Sequence, residues 1–420
     1  MTSVKQFLFF FLACFTGVCL QAASPERKTM QIGGYEREYL CYVPDQATFG
    51  SASQLNGIIV YLHGLNSKMS DCFDERHLER IADSLHYIIL SPQALPEQDQ
   101  KVISTAELAG MILPSLKFSL NAVWSCGLKV KAEIEILAGL QVRLLEEELN
   151  KNVDDVGFIS SMIDFTKAAY PLAHEAIFLI GTSMGGYMSY QYALISGKKL
   201  SGIIPIVGSM GLNIRATDAQ IKLPVCDFHS LTDEVVPYYG TVRQSGYTVS
   251  LAWNKEDVID FWVNKNGITA DPVIEDVHYY PSTNGITVQK ITYPDPVNEV
   301  IHYRLNGSGH SYFFEKANGD CMDHVEECMK FISRHAPGML GDVEQVSSES
   351  GTLYPNPVDN ILRFEKPEAG TVDIFDPAGK LMYSDSFRSG QLNVSFLKRG
   401  LYFVRVQGEA QRYVTKLIKQ

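Results

Sequence analysis

The sequence is poor in basic residues, and it has a single long apolar run. Lysine and arginine together number 36 against 48 aspartate and glutamate residues, which gives a net charge of −12. An acidic surface repels the phosphates of nucleic acids and of anionic membranes, so we expect neither as a partner. After the N-terminal run no further apolar run is long enough to cross a membrane, and we expect no membrane span.

The sequence also lacks a zinc pattern, because the spacing of its cysteines matches none. We expect neither a metal nor a cofactor. Of the eight cysteines, Cys14 and Cys19 lie in the N-terminal apolar run, and the other six permit up to three disulfides in an exported protein. Cys321 and Cys328 are predicted to lie on one helix face about 10.5 Å apart, which is beyond the reach of a disulfide.

The first 23 residues are typical of a secretory signal peptide. Lys5 precedes a nearly apolar run from Phe7 to Leu20, and small residues follow at positions 22 and 23. A transmembrane helix is the alternative, but the run is shorter than about 18 residues and no charged stop-transfer cluster follows it. We therefore expect an exported chain that begins at residue 24.

Residues 176–187 carry the pattern around which the chain is organised. The apolar run from Ala176 to Ile180 predicts a buried strand, and the residues from Met184 onward predict a helix. Ser183 lies between them, within Gly-Thr-Ser-Met-Gly. A sharp turn there would raise the hydroxyl above the sheet, and only small neighbours tolerate such a turn. We interpret it as a nucleophile elbow, with an ordinary glycine-rich loop as the alternative.

Predicted strands alternate with predicted helices over most of the chain, after an edge hairpin at 30–44. This alternation predicts an α/β fold, with a mostly parallel sheet covered by helices on both faces. Residues 93–150 depart from the rhythm and are predicted to form an insertion, with an amphipathic helix around 130–148. The insertion either caps a substrate cleft or packs peripherally. The predicted strands lie at 57–62, 86–90, 176–180, 203–207, 225–229 and 300–305.

The chain changes character after the α/β region, which we assign to residues 24–335. Residues 336–351 contain proline, glycine and serine without periodicity and are predicted to be a linker. Residues 352–420 contain short strands separated by turns, which predicts a small all-β sandwich.

Acyl transfer by Ser183 requires a base, a carboxylate that orients the base, and amide donors for the oxyanion. In α/β-hydrolases these side chains follow in the order Ser, Asp or Glu, His. We select Asp233, which follows a predicted strand, over Glu234 and Asp227. We select His310, in a glycine-bearing loop, as the base. His302 competes with it but lies inside a predicted strand.

The loops beside the elbow supply the remaining site candidates. The backbone amides of Met184 and Leu65 are the predicted oxyanion donors, with Gly64 as the alternative to Leu65. Of the candidates near the substrate, His63 is expected to be a hydrogen-bonded scaffold rather than a second base. The aromatic side chains are expected to flank an aromatic group. The substrate-binding candidates are His63, Trp124, Tyr187 and Tyr238.

Five motifs together resemble one family of esterases. They are His63-Gly64, residues 153–158, residues 181–186, residues 232–238 and residues 307–310. Their order over roughly residues 30–335 is similar to that of the secreted polyhydroxybutyrate depolymerase and feruloyl esterase group of α/β-hydrolases. In that family the matching serine, aspartate and histidine form the catalytic triad, which the resemblance places on Ser183, Asp233 and His310. Departures at Leu65-Asn66, Trp124-Ser125, Ser308 and Tyr312 lie in the cleft, so the reaction type is implied more strongly than the substrate.

The tail resembles a second family. Residues 353–358, 372–380 and 400–406 and the basic end at 416–419 are similar to the C-terminal sorting domain of type IX secretion. The resemblance implies export through the periplasm, the type IX secretion machinery as a partner, and a tail that is removed or used for surface attachment. A sugar-binding sandwich is the alternative, and the absence of tryptophan from the tail disfavours it.

The sequence therefore predicts a secreted serine esterase that acts through an acyl-enzyme. The expected substrates are feruloyl or acetyl esters on plant polysaccharides. A polyhydroxyalkanoate depolymerase is the alternative enzyme, and a peptidase of the prolyl-oligopeptidase kind comes third. From another class, the chain could be a non-catalytic surface carbohydrate-binding protein built on a hydrolase scaffold.

Overall fold

The structure is a computed structural model, and its chain divides into two compact units, Met1–Leu340 and Gly341–Gln420. The predicted signal peptide and residues 337–351 of the predicted linker lie outside the described residues. Those residues are 24–45, 54–104, 107, 119–137, 140–217, 221–244, 247–311, 314–336, 353–364, 370–375, 381–387, 390–407 and 412–420.

The first unit contains two sheets and the helices that cover them. None of its described helices is long and apolar enough to cross a membrane. The strands are β1 (Glu26–Ile32), β2 (Tyr35–Tyr42), β3 (Leu55–Leu62), β4 (Tyr87–Pro92), β5 (Lys129–Leu137), β6 (Leu140–Glu148), β7 (Leu172–Thr182), β8 (Gly202–Ile206), β9 (Val225–Ser230), β10 (Thr241–Gln244), β11 (Tyr247–Ser250), β12 (Val273–Asp276), β13 (Thr287–Tyr293) and β14 (Val300–Asn306). The described helices are α1 (Asp71–Asp74), α2 (Glu79–Leu85), α3 (Asp155–Ala169), α4 (Met184–Ile195), α5 (Lys255–Asn266) and α6 (His324–His335).

The main sheet has ten strands in the order β1-β2-β4-β3-β7-β8-β9-β14-β13-β12. The strands from β4 to β14 in this order run parallel to one another. Antiparallel hairpins, β1–β2 and β12–β13, complete the two edges. The predicted α/β fold with a mostly parallel sheet is confirmed.

Strand β3 is apolar and buried from Gly57 to Leu62 because both faces of the sheet are covered there. On β3, Ile58 and Val60 pack into one core with Phe158 of α3, whereas Ile59 and Tyr61 pack into the core on the opposite face. Successive side chains of a strand point to opposite faces, so a strand covered on both sides needs apolar residues at every position. The two cores therefore fix the sheet between its helical layers.

The predicted amphipathic helix at 130–148 is wrong. Strands β5 and β6 form an antiparallel hairpin there, and they join β10 and β11 in a four-stranded sheet. Val130 and Ala132 are buried. The partly exposed Lys129 places its Nζ 2.5 Å from Glu146 Oε1 across the hairpin. Charged and apolar residues alternate with a period of two, which is the period of a strand. The many lysine, leucine and glutamate residues favoured a helix by composition alone.

The cysteines of the described chain are buried, and all six have free thiols. The prediction that Cys321 and Cys328 share a helix face is wrong, because α6 begins at His324. The side chain of Asp323 accepts hydrogen bonds from the amides of Val325 and Glu326 and caps the helix there.

The second unit is all-β, as predicted. One antiparallel sheet has the order β15-β16-β19 and the other the order β18-β17-β20-β21. Leu362, Val372 and Val404 lie in the core of this unit. The strands are β15 (Leu353–Tyr354), β16 (Ile361–Phe364), β17 (Gly370–Phe375), β18 (Leu381–Phe387), β19 (Gln391–Asn393), β20 (Gly400–Gln407) and β21 (Arg412–Lys419).

A buried ion cluster joins β9, β14 and α5 in the first unit. Asp227 accepts hydrogen bonds from Lys255 Nζ, from the Tyr190 hydroxyl and from His302 Nδ1, each at 2.8 Å. Burial alone would raise the pKa of Asp227, but the Lys255 ammonium and His302 outweigh it and hold that pKa far below its ordinary value. Asp227 is therefore an ionised carboxylate whose counter-charge is also buried.

We expect Asp227→Asn to lower the free energy of unfolding by about 3–5 kcal/mol, because it leaves the Lys255 ammonium buried without its counter-charge. Asp164→Asn is the matched control, since Asp164 pairs with Lys198 at the surface, and it should cost less than about 1 kcal/mol. Urea unfolding of the two variants and the wild type measures the difference. Equal losses of unfolding free energy in Asp227→Asn and Asp164→Asn would contradict a charged cluster at Asp227.

Candidate active site

Ser183 occupies the turn between β7 and α4. Its backbone has φ 53° and ψ −119°, a conformation that is costly for any residue other than glycine. The Ser183 amide donates to the Ile206 carbonyl at 2.8 Å, which fixes the turn against β8. A Cβ at Gly185 would overlap the carbonyl of Leu62, so glycine is needed for the helix to approach β3 this closely. The strand, turn and helix lie where the sequence pattern predicts them.

His310 lies between Ser183 and Asp233. Its Nε2 is 3.0 Å from Ser183 Oγ, and its Nδ1 is 2.7 Å from Asp233 Oδ2. A carboxylate accepts hydrogen bonds, so Nδ1 carries the proton and Nε2 presents its lone pair to the serine hydroxyl. The His310 side chain is 17% exposed and Ser183 is half-buried, so a reactant can reach the serine from solvent.

Asp233 is held in a single orientation by its own loop. Its Oδ1 accepts the amide hydrogens of Val235 and Val236 at 2.9 and 2.8 Å, which turns Oδ2 toward His310. His229 lies buried with Nε2 3.6 Å from Asp233 Oδ2. Burial, reinforced by Lys255, lowers the pKa of His229 to about 4. His229 is thus neutral at neutral pH and adds no charge beside the carboxylate.

The alternative acid and base lie elsewhere. Asp227 and His302 are hydrogen-bonded to each other in the buried ion cluster of β9, β14 and α5. Glu234 is exposed. The side chains that the structure brings together with Ser183 are those of Asp233 and His310.

The candidate oxyanion donors are the backbone amides of Met184 and Leu65. Met184 is the first residue of α4, where the helix leaves its amide unsatisfied and where the positive end of the helix dipole lies. A Cβ at Gly64 would lie 3.3 Å from Ser183 Cβ, which places the loop of Gly64 and Leu65 beside the serine. In the described part of the chain, neither the Met184 amide nor the Leu65 amide donates to a backbone carbonyl. Both amides therefore stay candidates for the oxyanion donors.

His63 and Trp124 support this loop from the interior. His63 Nδ1 donates to the Gly64 carbonyl at 2.7 Å, and its Nε2 accepts the Ala94 amide at 3.1 Å. Burial lowers the pKa of His63 to about 4, which keeps the ring neutral in this arrangement. The Trp124 indole donates to the His63 carbonyl at 2.8 Å. Both side chains are fully buried, in keeping with a scaffold.

The two tyrosine candidates are also interior. Tyr187 and Tyr238 are each 1% exposed. The Tyr238 hydroxyl contacts Glu256 at 2.8 Å and His302 at 3.0 Å, which ties it to the ion cluster. An aromatic group needs an accessible face to flank a substrate. Their burial, like that of Trp124, therefore opposes direct contact with substrate.

Sequence reasoning overlooked three exposed apolar side chains on the loop that carries Asp233. Leu231, Val235 and Tyr239 all have accessible surface, and the Tyr239 ring packs edge-on against Tyr238. Their position next to the candidate carboxylate was the signal that could have found them.

Among the described residues, no three His, Cys, Asp or Glu side chains are grouped as a metal site requires.

Two family models match the chain. Residues 145–260, which include Ser183 and Asp233, match the Phospholipase/Carboxylesterase family. Residues 352–420 match the Secretion system C-terminal sorting domain. Among curated proteins, none matches the chain.

Three solved structures are similar to this chain at low sequence identity. An acetyl xylan esterase from Aspergillus awamori has 12% identity and a TM-score of 0.45, with 74% of this chain and 99% of that chain covered. An S-formylglutathione hydrolase from Agrobacterium tumefaciens has 10% identity and a TM-score of 0.42, with coverages of 75% and 96%. An S-formylglutathione hydrolase from Staphylococcus aureus has 14% identity and a TM-score of 0.39, with coverages of 74% and 96%. Identities this low carry no information on substrate.

The matched families agree with the topology of each unit. Residues 145–260 include β7, the turn at Ser183 and β9, and residues 352–420 form the two small antiparallel sheets. The resemblance to α/β-hydrolases and to the type IX sorting domain is confirmed. Residues 145–260 therefore match the Phospholipase/Carboxylesterase family within a unit that has the α/β-hydrolase fold, and residues 352–420 match a type IX sorting domain, which indicates secretion to the cell surface or the extracellular space.

Proposed function

We propose that the protein hydrolyses carboxylic esters through an acyl-enzyme on Ser183. The observation that carries the proposal is the continuous pair of hydrogen bonds from Ser183 through His310 to Asp233. His310 Nε2 takes the hydroxyl proton as Ser183 Oγ attacks the ester carbonyl. Asp233 holds the Nδ1 proton in place and stabilises the imidazolium that forms.

The oxyanion of the tetrahedral intermediate lies between the amides of Met184 and Leu65. When the intermediate collapses, His310 returns its proton to the departing alcohol and the acyl group stays on Ser183. Water then attacks the acyl carbonyl while His310 accepts its proton. The second intermediate releases the carboxylic acid and restores the serine hydroxyl.

The proposed substrates are feruloyl or acetyl esters on plant polysaccharides. Export to the cell surface supports this class, because polymers too large to enter the cell meet the enzyme there. The exposed side chains of Leu231, Val235 and Tyr239 offer an apolar surface beside Asp233. A polyhydroxyalkanoate is the alternative substrate for the same chemistry. A carbohydrate-binding role without catalysis would require neither the serine turn nor the aligned imidazole.

Ser183→Ala removes the nucleophile, and we expect it to lower kcat for a small activated acetate by at least about 10⁴-fold. Ser384→Ala changes an exposed serine of β18 and is the matched control, with turnover equal to that of the wild type. Thermal unfolding should give the same midpoint for all three proteins. Undiminished turnover by Ser183→Ala would refute the nucleophile.

Asp233→Asn keeps the shape of the side chain but loses the charge that orients His310. We expect kcat to fall by about 10³- to 10⁴-fold, because the Nδ1 proton is no longer fixed and the imidazolium is no longer stabilised. Glu234→Gln makes the same chemical change one residue away on an exposed side chain and should stay within about threefold of the wild type. A larger loss in Glu234→Gln than in Asp233→Asn would reassign the orienting carboxylate.

The substrate class is tested with feruloylated arabinoxylan fragments, acetylated xylan and hydroxybutyrate oligomers. We expect the wild type to release ferulate or acetate from the polysaccharides and Ser183→Ala to release neither. Chromatography of the released acids measures this. Hydrolysis confined to hydroxybutyrate oligomers would keep the esterase and replace the proposed substrates by the polyester.

A further inference from the structure

Thr232, the residue before Asp233, bonds the loop of Asp233 to the loop of His310. Its Oγ1 lies 3.2 Å from the amide nitrogen of Gly307 and 3.2 Å from that of Gly309. Both amides donate, so two N–H groups converge on one hydroxyl oxygen. The residue adjacent to the candidate acid is therefore bonded directly to the segment that ends in the candidate base.

The proton of the Thr232 hydroxyl is also accounted for. Oγ1 lies 3.1 Å from Ser230 Oγ, and the Thr232 amide donates to the same serine oxygen at 3.2 Å. A hydroxyl has one proton and two lone pairs. Because the amides of Gly307 and Gly309 occupy both lone pairs of Oγ1, its proton goes to Ser230. Ser230 is the last residue of β9 and is buried. The hydrogen bonds of Thr232 to Ser230, Gly307 and Gly309 therefore form a bridge that starts at the sheet itself.

The bridge lies just beyond the last backbone hydrogen bond between the ends of β9 and β14. Strands β9 and β14 are parallel neighbours, and the Leu231 amide donates to the Leu305 carbonyl at 2.8 Å at their ends. After Asn306 the chain turns through Gly307 and Gly309, with φ values of 89° and 58°. Such a glycine turn has many accessible conformations unless contacts select one. The hydroxyl of Thr232 makes two such contacts immediately before His310.

We infer that Thr232 is a positioning residue, which holds the His310 imidazole between Asp233 and Ser183. The inference rests on the esterase mechanism proposed above. Thr232 acts through the amides of Gly307 and Gly309 and does not contact the reacting atoms. Misplacement of a catalytic group by about 1 Å costs about 100-fold in rate, so a bond to the loop of the base controls turnover.

The test uses the full mature chain and substitutions that separate the hydroxyl from the side-chain shape. Thr232→Val keeps the shape and removes the acceptor, and Thr232→Ala is a second variant without a hydroxyl. We expect both to lower kcat by about 10- to 100-fold with KM changed less than about twofold. Thr232→Ser restores the hydroxyl and should recover kcat to within about threefold. Thr29→Val, at an exposed position of edge strand β1, is the matched control with wild-type kinetics.

Wild-type kcat in both Thr232→Val and Thr232→Ala, or a loss in Thr232→Ser as large as theirs, would overturn the inference. A second readout does not depend on turnover, namely the low-field proton NMR resonance of the His310 Nδ1 hydrogen. We expect it to match the wild type in Thr232→Ser and to move upfield or disappear in Thr232→Val. An unchanged resonance in Thr232→Val would contradict the positioning role. If the resonance responds while the wild type cleaves no ester, the proposed function fails and the positioning role stands.

Discussion

The parallel pairing of the central strands is the constraint on which the candidate site depends. Strands β3, β7, β9 and β14 end at one edge of the sheet, and the loops that follow them carry the Leu65 amide, Ser183, Asp233 and His310. Two apolar cores hold the strands from both faces, and the buried Asp227 cluster joins β9 to β14 below their loops. The hydrogen bonds at His310 need loops placed to within a fraction of an ångström, and a sheet fixed on both faces provides this.

No disulfide joins the described residues of this exported chain, so its stability there has another source. All six cysteines there are buried free thiols. Burial raises the pKa of Cys41 to about 11, so its thiol stays protonated and poorly reactive at neutral pH. The stabilisation comes from apolar burial on both faces of the main sheet and from buried polar clusters. The thiols belong to those cores rather than to a covalent framework.

The sequence predicted those parts of the fold and site whose signals are local. The serine turn was readable because Gly181, Ser183 and Gly185 stand within five residues between an apolar strand and a helix. The hairpin of β5 and β6 was missed because its composition favours a helix, although charged and apolar residues alternate along it. Other features depend on contacts between distant segments. The burial of Trp124 and Tyr238 and the bridge from Thr232 to Gly307, 75 residues later, cannot be read from one segment alone.

Covalent labelling of the wild-type protein with a fluorophosphonate probe decides whether Ser183 is a catalytic nucleophile. The probe reacts with a serine whose hydroxyl is activated by an adjacent base and whose oxyanion is bound by amide donors. We expect one adduct per chain, mapped by peptide mass spectrometry to Ser183, and much slower labelling in His310→Ala. Absence of labelling, or an adduct on another residue, would contradict a catalytic Ser183 and favour a non-catalytic scaffold.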